Sequence, residues 1–259
     1  MANGSNGPSD LIHSVSRALR ILEVAGSDPR GLNAKQLARR CELPLSTTYH
    51  LLRTLCYEGY LVRRRGGAYV IGYEIAGRFR DLAHALQQPP EVREVLRHLA
   101  SVTGHSAYLS RLIDGKVVIT EVVEAPRSPK VEDLIVGFSE AAHATALGKS
   151  LLWAMPRSTR RAYLAEQGMW PVTSETVTDT VDLEAELSAL GRAGLFIEEA
   201  QFRAGVSCLA VLVRNQGSNQ EYGSIAFSAE SGRFDEIGRF LAAELRLAAS
   251  DLEGRSLTA

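Results

Sequence analysis

The sequence predicts a mixed α/β chain in two parts: a small front of helices closed by a β-hairpin, and a larger rear in which antiparallel strands alternate with helices. Three observations predict it. Residues 11–72 carry short helical repeats separated by turn residues, and they end in two β-prone runs around Gly66-Gly67. Beyond Pro89-Pro90, runs rich in Val, Ile and Leu are joined by turn pairs such as Asp114-Gly115 and interleaved with helical stretches, which suggests a sheet with helices on its faces. The charge divides at the same place. Residues 1–88 hold twelve Lys and Arg against seven Asp and Glu, whereas residues 89–259 hold seventeen against twenty-three. A basic front and an acidic rear suit a nucleic-acid module attached to something else.

Composition narrows the class further. With 45% hydrophobic and 23% charged residues, the chain is ordinary globular material. Cys41, Cys56 and Cys208 are odd in number and outside any CxxC pattern, so neither a disulfide framework nor a zinc motif is expected, and a reducing cytoplasm is. No apolar run approaches the length of a membrane span. Met1 to Asp10, small and polar, reads as a disordered tail rather than a signal peptide.

The first helix is expected from about Ser14 to Ala25, with Val15, Ala18, Leu19 and Leu22 at helical spacing, ended by Gly26. Asn33, with Gln36 three residues on, has the form of a capping box. It opens a short second helix that buries Leu37, Ala38 and Cys41. Glu42-Leu43-Pro44 forms a tight turn. Ser46 is placed to cap a third helix reaching Glu58 and stopped by Gly59. In that helix Thr48, Leu51, Leu52 and Leu55 make the inward stripe, which leaves Ser46, Thr47, Tyr49, His50 and Arg53 facing out. Short hydroxyls followed by a ring, an imidazole and a guanidinium suit a helix whose first turns enter a major groove, and no Glu or Lys lies between Ser46 and Cys56. The next run, Tyr60 to Arg65, ends in Arg63, Arg64 and Arg65. After Gly66-Gly67 the chain returns through Ala68 to Ile71, in a hairpin expected to use a primed turn. A cationic hairpin directly after such a helix is a wing, and its arginines can reach phosphates or the minor groove. The front is therefore read as a winged helix-turn-helix that binds double-stranded DNA.

Behind it, a helical stretch from Gly72 to about Gln88 places Ile75, Phe79, Leu82 and Leu86 on a narrow heptad-like seam, and Pro89-Pro90 ends it. The rear is expected to begin with a helix over 91–103, leading through Gly104 into strands at 106–113 and 116–123. Leu134–Phe138 is a further short strand. Helices follow over 144–154, 158–167 and 183–193, strands at 195–198, 207–214 and 222–228, and a last helix over 234–252.

Several blocks resemble one family. Ser14 to Leu22, Leu43 to Leu55, Glu58 to Leu61, the run His143-Ala144-Thr145-Ala146-Leu147-Gly148-Lys149, and Gly205 to Ala210 are similar to the IclR family of bacterial regulators, in the right order and across about residues 12–250. The resemblance implies a GAF-like α/β rear domain with a six-stranded antiparallel sheet that binds a small-molecule effector, and a homodimer or tetramer built with help from the first helix and the linker. It implies the division 1–10 tail, 11–72 DNA-binding domain, 73–90 linker helix and 91–259 effector domain. In the effector site it places Ala146 and Leu147 as backbone N–H donors, Glu198 where an Asp is common, Cys208 as a direct match, and Ser228 as the one hydroxyl kept of a Ser-x-Ser strand motif. It also puts Glu140 on the pocket wall, where an apolar residue is common. Two acids there, Glu140 and Glu198, argue against a small free carboxylate as effector. Tyr49-His50 stands where the family commonly has His-Arg, so the operator sequence does not carry over. No cofactor is called for. The alternative is a small-molecule hydrolase using Cys208 and His143 behind a vestigial front, although no Gly-x-Ser-x-Gly, Walker or dinucleotide motif occurs.

Overall fold

The computed structural model describes residues 10–86, 89–129, 131–214 and 222–253. Residues 1–9 of the tail expected over 1–10, and residues 87–88 of the linker expected over 73–90, lie outside the described residues. The chain falls into two compact units, Met1–Leu82 and Ala83–Ala259.

The front unit contains α1 (His13–Gly26), β1 (Leu32–Asn33), α2 (Ala34–Arg40), α3 (Leu45–Tyr57), β2 (Leu61–Arg63), β3 (Ala68–Ile71) and the first turns of α4 (Glu74–Ala85). The capping box forms as the sequence requires: the Asn33 side chain accepts from the Gln36 N–H at 3.0 Å, and the Gln36 side chain accepts from the Asn33 N–H at 2.8 Å. The turn between α2 and α3 is a Schellman motif. Glu42 takes a left-handed φ of 56°, and the Leu43 N–H bonds the Ala38 carbonyl at 2.9 Å. Leu37, Cys41, Leu52 and Leu61 close the core with Ile21 and Ala25.

Three expectations need correcting here, and one element was not expected at all. Ser46 does not cap α3. Pro44 occupies that position, and the inward Thr48 hydroxyl donates to the Pro44 carbonyl at 3.0 Å. The hairpin turn is not primed: the Gly67 N–H bonds the Arg64 carbonyl, and only Gly66 of the two central residues has a positive φ, 98°, as in a type II turn. The sequence did not foretell β1, which pairs with β3 to give the order β1-β3-β2. Finally, α1 buries Ile21 and Ala25, whereas Val15 and Leu19 are 53% and 57% exposed. The helix carries two apolar stripes, and the one continuing from Leu11 and Ile12 faces away from the core of its own unit. On α4, likewise, Phe79 and Leu82 are exposed.

The rear unit is one antiparallel sheet of order β5-β4-β8-β7-β6 among the described residues, with β4 (Ala107–Ile113), β5 (Lys116–Val123), β6 (Phe196–Glu199), β7 (Val206–Arg214) and β8 (Tyr222–Glu230). Asp114 and Gly115, at φ 48° and 77°, make the primed turn between β4 and β5. One face packs against α5 (Pro90–Thr103) and α9 (Phe234–Glu253) through Leu96, Leu99, Leu209, Phe227, Leu241 and Leu245. The other face lies under α6 (Ala146–Ala154), α7 (Arg157–Gln167) and α8 (Thr180–Ala193). The sheet thus has five described strands, not six. Leu134–Phe138 is no strand: it turns, and only two backbone bonds, Gly137 N–H to the Ile119 carbonyl and Ile119 N–H to the Phe138 carbonyl, attach it to the edge strand β5.

Candidate functional site

The front unit presents a continuous polar face. On α3, Ser46, Tyr49, His50 and Arg53 are exposed and Thr47 is half-buried, since Thr48 and Leu52 turn the opposite side into the core. The Arg53 guanidinium meets no acid or hydrogen-bond acceptor among the described residues, and neither do the guanidiniums of Arg64 and Arg65 on the hairpin. Arg63 is held differently. Its guanidinium lies over the Tyr69 ring at 5.9 Å, which is the register partner across the hairpin. Two arginines are therefore free at the tip, and one is braced at its base.

In the rear unit, strand register assembles residues that are far apart in sequence. Glu198 on β6 pairs with Cys208 on β7, which pairs with Ser228 on β8. Directly opposed residues point to one face, so these three form a row under α6. The Ser228 hydroxyl is 3.2 Å from the Tyr108 hydroxyl on β4, which extends the row by one strand. Cys208, Ala146, Leu147, Tyr108 and Phe202 share one buried cluster, with Phe138 packed on it. At the start of α6 the Thr145 side chain caps by accepting the Gly148 N–H at 3.0 Å, and the N–H groups of Ala146 and Leu147 have no acceptor among the described residues. Gly148 is required for this packing: a Cβ there would meet the Ala142 carbonyl oxygen at 2.2 Å.

Two assignments change. Glu140 is exposed, so it does not supply a second acid to the row. His143, paired with Cys208 in the hydrolase alternative, is held elsewhere. It is buried, its Nε2 lies 3.0 Å from the Trp170 carbonyl, and its ring meets Trp170 edge-on. Burial lowers its pKa, which favours the neutral ring.

Sequence reading missed a buried polar network beside the row. Lys149, fully buried, donates to Glu186 on α8 at 2.7 Å and to the Gln201 side chain at 2.6 Å. The Gln201 N–H donates in turn to Glu198 at 2.8 Å. Lys149 lies on the buried stripe of the His143–Lys149 block, but nothing in sequence ties it to residues 37 and 52 positions away. Burial pushes the Glu198 carboxyl up to about 7, opposed by hydrogen bonds from Gln201 and Cys208 and by the Lys149 charge. Burial, with Glu198 adjoining, raises the Cys208 thiol well above its ordinary range. An un-ionised thiol bonded to a carboxyl, and an imidazole bonded to a Trp170 carbonyl, do not make a nucleophile and its base.

A helix-turn-helix followed by a wing, with a recognition face free of carboxylates, is the architecture of a protein that reads duplex DNA. Comparison with known proteins gives the particular family. Residues 14–65 match the IclR helix-turn-helix domain, and residues 85–253 match the bacterial transcriptional regulator IclR C-terminal domain. The chain belongs to the IclR family of transcriptional regulators, in which a DNA-binding domain precedes an effector-binding domain. It is 29% identical over 209 residues to the HTH-type transcriptional regulator TtgV of Pseudomonas putida, covering 80% of this chain and 78% of that protein. It is 24% identical over 246 residues to the transcriptional repressor IclR of Escherichia coli, covering 92% and 88%. An IclR homologue from Microbacterium hydrocarbonoxydans, solved in complex with 4-hydroxybenzoate, shares the fold at a TM-score of 0.71 and 21% identity, covering 93% of this chain and 98% of that one. No helix among the described residues is long and apolar enough to cross a membrane.

Proposed function

We propose that α3 enters the major groove of an operator, with Ser46, Thr47, Tyr49, His50 and Arg53 toward the bases, while Arg63, Arg64 and Arg65 on the wing hold the phosphate backbone. The reading rests above all on the unpartnered guanidiniums of Arg53, on a helix face that carries no acid between Ser46 and Cys56, and of Arg64 and Arg65 on the hairpin that follows it. Residues 11–72 act as the DNA-binding domain, 73–90 as the linker and 91–259 as the effector domain. Two copies, or two pairs, assemble through the exposed stripe of α1 and the seam of α4, so that two recognition helices meet a two-fold operator. The protein works in the cytoplasm and catalyses no reaction.

The effector binds over the row formed by Glu198, Cys208 and Ser228, with an acceptor group on the free N–H groups of Ala146 and Leu147. Tyr108 joins this set. The aromatic lining from Phe138 and Phe202 suits a compact ligand with an apolar body. With Glu140 outside the row and Glu198 partly neutral near pH 7, the wall opposes an anionic head less than two ionised acids would.

Titration of operator DNA tests the front. Arg53→Ala is expected to cost about 1–3 kcal/mol on the preferred site and less on random duplex. Replacing Arg63, Arg64 and Arg65 by Ala weakens binding to every sequence and reduces the salt slope by about 0.9 for each phosphate that is no longer neutralised. An unchanged slope removes the wing from the interface, and equal losses for Arg53 on both duplexes make it a phosphate-binding residue.

A further inference from the structure

The rear unit carries a concavity that shares no lining residue with the row of Glu198, Cys208 and Ser228. It is a cleft of about 940 Å³ between α7 and α8. Helix α7 turns Arg157, Arg161, Leu164 and Ala165 into it, at positions i, i+4, i+7 and i+8, and α8 answers with Val181, Glu184, Ala185 and Ser188.

The charges in this cleft do not balance. Arg160, buried at its floor, is fully engaged: it grips both oxygens of Glu184 at 2.8 Å and donates to the Leu152 carbonyl at 2.9 Å. The single lining carboxylate is therefore already taken by a bidentate pair. Arg157 approaches Glu184 only at 3.6 Å, with its side chain 67% exposed. Arg161 is exposed and has no hydrogen bond or ion pair among the described residues. The remaining polar groups on the wall are hydroxyls of Thr178, Thr180 and Ser188. Between these lies apolar surface from Leu164, Met169 and Val181, the last 73% exposed.

We propose that the α7–α8 cleft is a binding site for a small amphipathic organic anion, with its charged group on Arg157 and Arg161 and its apolar body against Leu164, Met169 and Val181. Two exposed guanidiniums, Arg161 and the only loosely paired Arg157, repel cations. The apolar wall favours a carboxylate, sulfonate or phosphate ester with a ring or chain over a bare inorganic anion, and the volume suits a ligand of that size. The site also touches the helix that carries the effector donors, because Arg160 bonds the carbonyls of Leu152, Trp153 and Met155 at the C-terminal end of α6.

The test uses the full chain and 1-anilinonaphthalene-8-sulfonate, an aryl sulfonate whose fluorescence rises on binding. Saturable binding that weakens as salt is added is expected. The exposed pair Arg157→Ser with Arg161→Ser should weaken it about tenfold, the loss of a charge-assisted hydrogen bond. Ser228→Ala and the wing variant should leave it unchanged. Binding that is absent, that survives the double variant, or that falls only with Ser228→Ala overturns the proposal. So does a double variant that alters the oligomeric state but not probe affinity, which would make the cleft a meeting surface between copies. Loss of DNA binding in the wing variant is read separately, so a failure of this site leaves the DNA-binding assignment untouched.

Discussion

Glu198 shows how one buried residue can set the pH response of a domain. Its carboxyl is pushed from an ordinary 4.5 up to about 7 by burial. Between these values the folded state holds a proton that the unfolded state has released, so stability falls as pH rises through that window. It is fully present below about 4.5 and lost by about 7. The span corresponds to about 3 kcal/mol at ~1.4 kcal/mol per unit. Glu198→Gln keeps an oxygen for the Gln201 N–H and removes the titration. Urea unfolding at pH 5 and pH 7 should then show a flattened pH dependence and a gain at pH 7. A variant whose stability still declines over that window would show that a group other than Glu198 titrates there. The family resemblance singled out Glu198, Cys208 and Ser228, and the strand register sets these three side by side. Sequence alone could not identify Tyr108 or Lys149, because a cross-strand hydroxyl pair and a bond from position 149 to 186 depend on register and helix packing, which no local pattern encodes. Glu140 failed for the related reason that a position's place in a family pattern does not fix which way its side chain turns.

At the scale of elements, local chemistry was legible wherever the chain's own side chains satisfy the backbone. Asn33 and Gln36 close α2 as their spacing requires, Gly59 and Gly104 end α3 and α5 with positive φ, and Asp114-Gly115 turns a strand. Asn33→Ala removes one half of the capping box and should cost about 1 kcal/mol of front-unit stability, measured by thermal unfolding. Asn33→Ser, which keeps an acceptor, should recover most of it. Elements held by distant partners were not legible. Strand β1 is two residues long and exists because β3 offers it an edge, and the segment at 134–138 clings to β5 by two backbone bonds without becoming a strand. The wing turn was misread for a simpler reason, since Gly-Gly fits primed and unprimed turns alike.

The whole molecule keeps apolar surface that its own cores do not use. Leu11, Ile12, Val15 and Leu19 are all about half exposed or more on the first helix and the residues before it, and Phe79 and Leu82 are 46% and 43% exposed on the linker. An isolated chain would carry this surface into water, and the pairing of copies proposed above would cover it. Val15→Glu with Leu19→Glu should leave each unit folded by circular dichroism, shift sedimentation toward the single chain, and weaken operator binding in parallel. If the charged variant stays assembled and binds DNA normally, this face is not where copies meet.

That uncovered stripe has a consequence for dosage. If two chains must join before either can grip an operator firmly, the amount of competent protein rises with the square of chain concentration while single chains predominate. A promoter would then respond steeply to modest changes in synthesis or degradation of the regulator. Halving the copy number in a cell near that threshold would reduce occupancy by more than half, with no change in any ligand.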